Sequence, residues 1–133
     1  MLLPAGVVVA VVDGEAVELF RNSRNEIDPL LVPLESPHLN DHNKHSGRQH
    51  VVSAANPGHQ INEDAHAAAV AVWMCGQVME RRIEKLIIIA APRTLGEMRR
   101  HYDKRLKHAL IGELPKELVG RNAEEILRAV RSA

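Results

Sequence analysis

The chain reads as an α/β fold with a mixed sheet, an antiparallel three-strand start followed by strand–helix units in the order β-β-β-α-β-α-β-α. Three observations predict this. The runs 7–12 (VVVAVV) and 86–90 (LIIIA) are short, unbroken and apolar, the pattern of strands buried on both faces. Asp13-Gly14 directly follows the first run, a dipeptide suited to the positive φ angles of a tight hairpin turn. Three later stretches place apolar residues at helical spacing, and strands alternating with such stretches make a sheet covered by helices.

After the first strand and its turn, residues 16–21 alternate. Val17 and Leu19 take one face, Glu18 and Phe20 the other. The run 29–34 (PLLVPL) is a third strand, and its two prolines place it at a sheet edge because proline cannot donate to a ladder. Residues 36–61 form a long polar loop, broken by Pro37, Gly47, Pro57 and Gly58. Loops of that length in compact domains usually carry function or lack structure. His38, His42, His45, His50 and His59 all fall in it.

Asn62 is expected to cap a helix running to about Arg82, with Glu63 and Asp64 near its positive end. Ala65, Ala69, Val72, Trp73, Gly76 and Met79, with Ile83 beyond, are its expected core face. The central strand 86–90 stops at Pro92. Thr94 and Glu97 then have the spacing of a capping box that opens the next helix. That helix is expected to bury Leu95, Met98, Tyr102, Leu106 and Ala109. Its outer face would carry Arg99, Arg100, Lys104, Arg105 and Lys107 against Glu97 and Asp103. Residues 110–114 suit a last strand ended by Pro115. Asn122 caps a final helix with Ala123, Ile126, Leu127 and Val130 inward.

With 133 residues the chain is expected to form one domain spanning 1–133, long enough to bury a substantial core. One Trp, one Tyr and one Phe are too few for the aromatic platforms that stack single-stranded nucleic acid. Seventeen basic and seventeen acidic residues leave no net charge to favour a polyanion. A lone cysteine excludes an internal disulfide and fits a reducing compartment. The apolar start lacks a basic region and is cut by Asp13, too early for a signal peptide or membrane span. A cytoplasmic location is therefore expected. No nucleotide loop, nucleophile elbow or dinucleotide fingerprint is present, and no cofactor is expected. A ribonuclease-type metal site would need carboxylates inside the first strand, and 7–12 has none.

The motifs MLLPAG, VVDGEAVELFRN, DHNKHSGRQH, ANPGHQINEDAHAAAVA, IEKLIIIAAPRTLGEMRRHYDK and GELPKELVG resemble the bacterial host-attachment protein family along nearly the whole chain. That resemblance implies a role in attachment to host cells and leaves the chemistry open. More remotely, the layout is similar to the middle domain of archaeal and eukaryotic peptide release factors and of Pelota, which implies a ribonuclease H-like sheet. Release factors carry Gly-Gly-Gln in a loop that admits water to the peptidyl-tRNA ester. Here the matching stretch is Ser46-Gly47-Arg48-Gln49-His50. Arg48 replaces one glycine and reduces the freedom of the backbone.

Several candidate sites follow. His42, His45, Gly47, Arg48, Gln49 and His50 form a candidate binding loop for RNA or a partner, with Gln49 the candidate catalytic residue. His38, His42 and His45, with Asp41, are candidate metal ligands by residue type, set against solvated loop histidines. Arg93 and Thr94, with the amides of Leu95 and Gly96, suit an anion at a helix start, although a capping box would occupy the same amides. Arg99, Arg100 and Lys104 are candidate RNA-backbone contacts, or a solvated face paired with acids such as Glu124 and Glu125. His66 sits near a helix start, either a site residue facing the loop or, as the leading expectation, a helix-surface histidine or one hydrogen-bonded to the preceding loop, and Cys75 reads as a buried structural thiol. The leading expectation is a non-enzymatic binding protein with an unknown macromolecular partner. The alternative is a ribosome- or tRNA-associated hydrolase using Gln49.

Overall fold

The computed structural model describes residues 1–37, 39 and 55–133, with side chains from Asn62 onward in the last segment. The strands are β1 (Val8–Val12), β2 (Val17–Asn22), β3 (Leu31–Leu34), β4 (Leu86–Ala90) and β5 (Leu110–Leu114). They form one sheet in the order β3-β2-β1-β4-β5. β1 pairs antiparallel with β2 and parallel with β4, and β5 runs parallel to β4. β3 lies at the edge, as Pro33 requires, and begins two residues later than expected, so that Pro29 precedes it. The mixed α/β architecture expected from the sequence is thus the observed one.

Every residue of β1 and β4 is buried, because helices cover both faces of the sheet. Val8, Ala10, Val12, Leu86, Ile88 and Ala90 point to α1 (Ala55–Met79), α2 (Pro92–Arg99) and α3 (Lys104–Ala109). Val9, Val11, Ile87 and Ile89 point the other way, to α4 (Ala123–Ser132) through Ile126 and Val130. Full burial of each isoleucine in β4 contributes roughly 1.5–3 kcal/mol, so this strand is a main source of cohesion.

Four local expectations need correction. First, α1 begins at Ala55 rather than Asn62. Pro57 falls in the first turn, where no intrahelical N–H bond is lost. Second, its inward face is His66, Ala67, Val70, Ala71 and Met74, whereas Val72 and Met79 are exposed. The helix is alanine-rich and apolar on most sides, so periodicity did not fix its phase.

Third, the expected helix after β4 is two helices, because the Asp103 side chain accepts from Leu106 N at 2.8 Å and caps a fresh start. Leu95, Met98, Leu106 and Ala109 are nevertheless buried as expected, with Tyr102 partly so. Fourth, α2 starts at Pro92, with Ala91 as its N-cap and no side-chain cap. Thr94 and Glu97 therefore form no capping box. The box that is present joins Asn122 and Glu125 at α4. No helix among the described residues is long and apolar enough to cross a membrane.

Candidate functional site

The carboxyl ends of β1 and β4 meet the N-terminal half of α1. Such strand ends are where open α/β sheets form ligand crevices. The chain leaves β1 through Asp13, whose Oδ1 accepts from Glu15 N at 2.8 Å and Ala16 N at 2.6 Å. That carboxylate closes the turn, and Gly14 has no positive φ. Gly14 instead lies against α1: a Cβ there would meet Glu63 Oε2 at 2.5 Å, and that flexible side chain would have to move aside.

His66, only 4% exposed, lies beside this turn. Its Nδ1 is 3.1 Å from the Asp13 carbonyl oxygen. A carbonyl can only accept, so Nδ1 carries the proton and Nε2 keeps the lone pair. Burial pushes the His66 pKa down, partly opposed by Asp13 and Glu15. The ring, Glu15, Val17, Ser36, Pro37 and Leu39 line a cavity of about 200 Å³. A neutral imidazole in such a place can accept a proton or a hydrogen bond. His66 is therefore not on the helix surface, and its Nδ1 bonds the β1–β2 turn rather than the loop that precedes the helix.

Arg93, in the first turn of α2, reaches Asp64 at 3.7 Å with both side chains partly exposed. Thr94 is half-buried. The Leu95 amide already donates to the Ala91 carbonyl at 2.9 Å, and Gly96 lies deeper in the helix. The amides expected to hold an anion are therefore engaged.

The basic face divides in two. Arg99 donates to Glu113 Oε1 from Nε at 3.0 Å and Nη2 at 2.6 Å, while the Tyr102 hydroxyl donates to Oε2 at 3.0 Å. Burial and Glu113 push the Tyr102 hydroxyl well above its ordinary pKa, and Glu113 raises Arg99. Arg100 and His101 both reach Glu97, at 3.4 and 3.3 Å. Glu113, not Glu124 or Glu125, is thus the acidic partner of Arg99, and Glu125 instead pairs with Arg121. Lys104 has no ion pair among the described residues.

Cys75 is half-buried, its Sγ 3.6 Å from the His101 carbonyl. Burial raises its pKa, which suits a packing role. Among the described residues, no three His, Cys, Asp or Glu side chains converge to hold a metal ion. His38, His42, His45, Gly47, Arg48, Gln49 and His50 lie outside the described residues. Sequence reasoning missed the Glu63–Gly14 approach and the Glu113 anchor. A carboxylate on a sheet-edge strand gives no signal of which helix it will meet.

A five-stranded mixed sheet, with a hairpin followed by a long helix and a buried parallel strand, defines an α/β domain compatible with the one expected from the release-factor resemblance. The sequence model of Bacterial archaeo-eukaryotic release factor family 12 matches residues 6–130, and the chain belongs to that family. No curated protein matches the chain.

Proposed function

We propose that this protein acts on the ester end of peptidyl-tRNA, with Gln49 as the residue that admits the attacking water. The observation that carries this reading is the release-factor family match across residues 6–130, a span that includes Gln49. The scaffold supports it. Leu39 packs on the α1 side of the core and α1 begins at Ala55, so the segment holding Gln49 leaves the core beside α1 and leads into that helix. In the proposed step, water oxygen bonds to the ester carbonyl carbon. The bond to the ribose oxygen breaks, and that oxygen takes the proton. Arg48 in place of a glycine narrows the backbone freedom near Gln49 and points to a slower reaction than a Gly-Gly-Gln loop would support.

A second reading rests on the host-attachment motifs, DHNKHSGRQH above all: a binding protein that influences attachment without hydrolysing anything. Release of labelled peptide from ribosome-bound peptidyl-tRNA separates the two. Wild type is expected to release peptide and Gln49→Ala to lose at least about tenfold in rate, equivalent to ~1.4 kcal/mol. Equal rates for the two proteins remove Gln49 from the mechanism, and no release by wild type favours the binding reading.

A further inference from the structure

At the other end of the sheet, roughly 20 Å along α1 from His66 at the helical rise, the last turn of α1 and the side of α3 enclose a groove of about 600 Å³. Its floor is apolar: Val78, Met79, Ile83 and Ala109. Met79 is 55% exposed above Ile83 and Ala109, which are themselves buried. Its rim is basic, with Arg81, Lys104, Arg105 and His108 facing one carboxylate, Glu84. Among the described residues none of these four basic side chains is ion-paired, in contrast to Arg99 and Arg100.

Arg81 adds a second observation. It has φ +63°, the left-handed conformation that ends a helix and normally falls to glycine. The Arg81 amide bonds the Val78 carbonyl at 3.0 Å and the Arg82 amide bonds Gln77 at 2.9 Å, so the helix end closes fully around a disfavoured residue. A side chain kept at such a position points to use of that side chain.

We propose that this groove docks an acidic, amphipathic helical segment of a partner protein. An apolar face on that helix would cover Met79 and Val78, and its carboxylates would meet Arg81 on one wall and Lys104 and Arg105 on the other. The walls are helices whose backbone groups are already bonded, so recognition is by side chains, as in other helix-in-groove contacts. RNA fits less well. The groove has no aromatic side chain on which a base could stack, and a phosphate backbone would leave the apolar floor uncovered.

The test is fluorescence anisotropy with a stapled helical probe carrying Leu at i and i+4 flanked by Glu. Its Glu→Lys counterpart and a single-stranded RNA serve as comparators. The acidic probe is expected to bind the full chain and the Lys probe not to bind. Met79→Glu, at an exposed position, and Lys104→Glu with Arg105→Glu should each weaken binding at least about tenfold. Lys107→Glu, outside the groove, should leave it unchanged. Arg81→Gly should weaken binding without lowering the thermal midpoint, a split that a purely structural arginine would not give. Absence of acidic-probe binding, equal binding of the Lys probe, or RNA binding indifferent to Met79→Glu would each overturn the proposal.

Discussion

The two ends of the parallel strands carry similar charged residues and treat them differently. At the carboxyl end, Asp13 closes its own turn, Arg93 leans on Asp64, and on the adjoining α2 face Arg99 is held by Glu113. At the amino end, Arg81, Lys104 and Arg105 ring an apolar groove with Glu84 as the lone carboxylate. The first end uses charge to fix backbone, and the second leaves charge in solvent beside exposed Met79. A basic residue is available to a partner only where the fold brings no carboxylate to it, and that depends on contacts between elements distant in sequence.

The carboxyl-end turn should be the easier of the two to break. Asp13→Ala removes the carboxylate that accepts from the Glu15 and Ala16 amides, and hydrogen bonds to a charged group contribute about 1.5–3 kcal/mol. Urea unfolding should show that loss, and Asp13→Asn, which keeps an acceptor oxygen, should recover part of it. An unchanged midpoint in Asp13→Ala would mean that this carboxylate does not close the turn.

A smaller effect is expected from His66. Burial lowers its pKa below the unfolded value near ~6.5. Between the folded and unfolded pKa values the unfolded chain therefore holds a proton that the folded chain lacks. Stability from this group is complete above the unfolded pKa and falls as pH drops toward the folded one, where the loss levels off. Denaturation across that range should show the slope in wild type and a shallower one in His66→Asn. Identical slopes would contradict the buried neutral imidazole.

The smallest effect belongs to the outer face. Arg100→Ala removes an exposed pair with Glu97 and should cost only ~0.2–1 kcal/mol. Arg99→Ala removes two shorter hydrogen bonds, at 3.0 and 2.6 Å against 3.4 Å, to the equally shielded Glu113 and should cost more. Thermal unfolding of the pair checks the ranking, and the reverse order would contradict it.

The sheet was legible in the sequence because its signals are local. The unbroken runs in β1 and β4, the alternation in β2 and Pro33 in β3 each reflect how one strand meets its immediate surroundings. Asn122 was legible as a cap for the same reason, since Glu125 is one turn away. The phase of α1 was not legible, because alanines at Ala65, Ala67, Ala68, Ala69 and Ala71 let several faces pack equally well. Thr94 and Glu97 had the right spacing for a box, yet Pro92 supplied a better helix start two residues earlier. Of the candidate site, His66 was visible as a residue but not as a buried one. Its partner is a backbone oxygen at Asp13, which no side-chain pattern announces.

The proposal that this release-factor-family chain works on peptidyl-tRNA is tested most directly by co-sedimentation with ribosomes across a salt series. The protein should travel with ribosomal particles at low salt and be released progressively as salt screens its contacts. Absence from the ribosomal fractions even at the lowest salt would contradict the account.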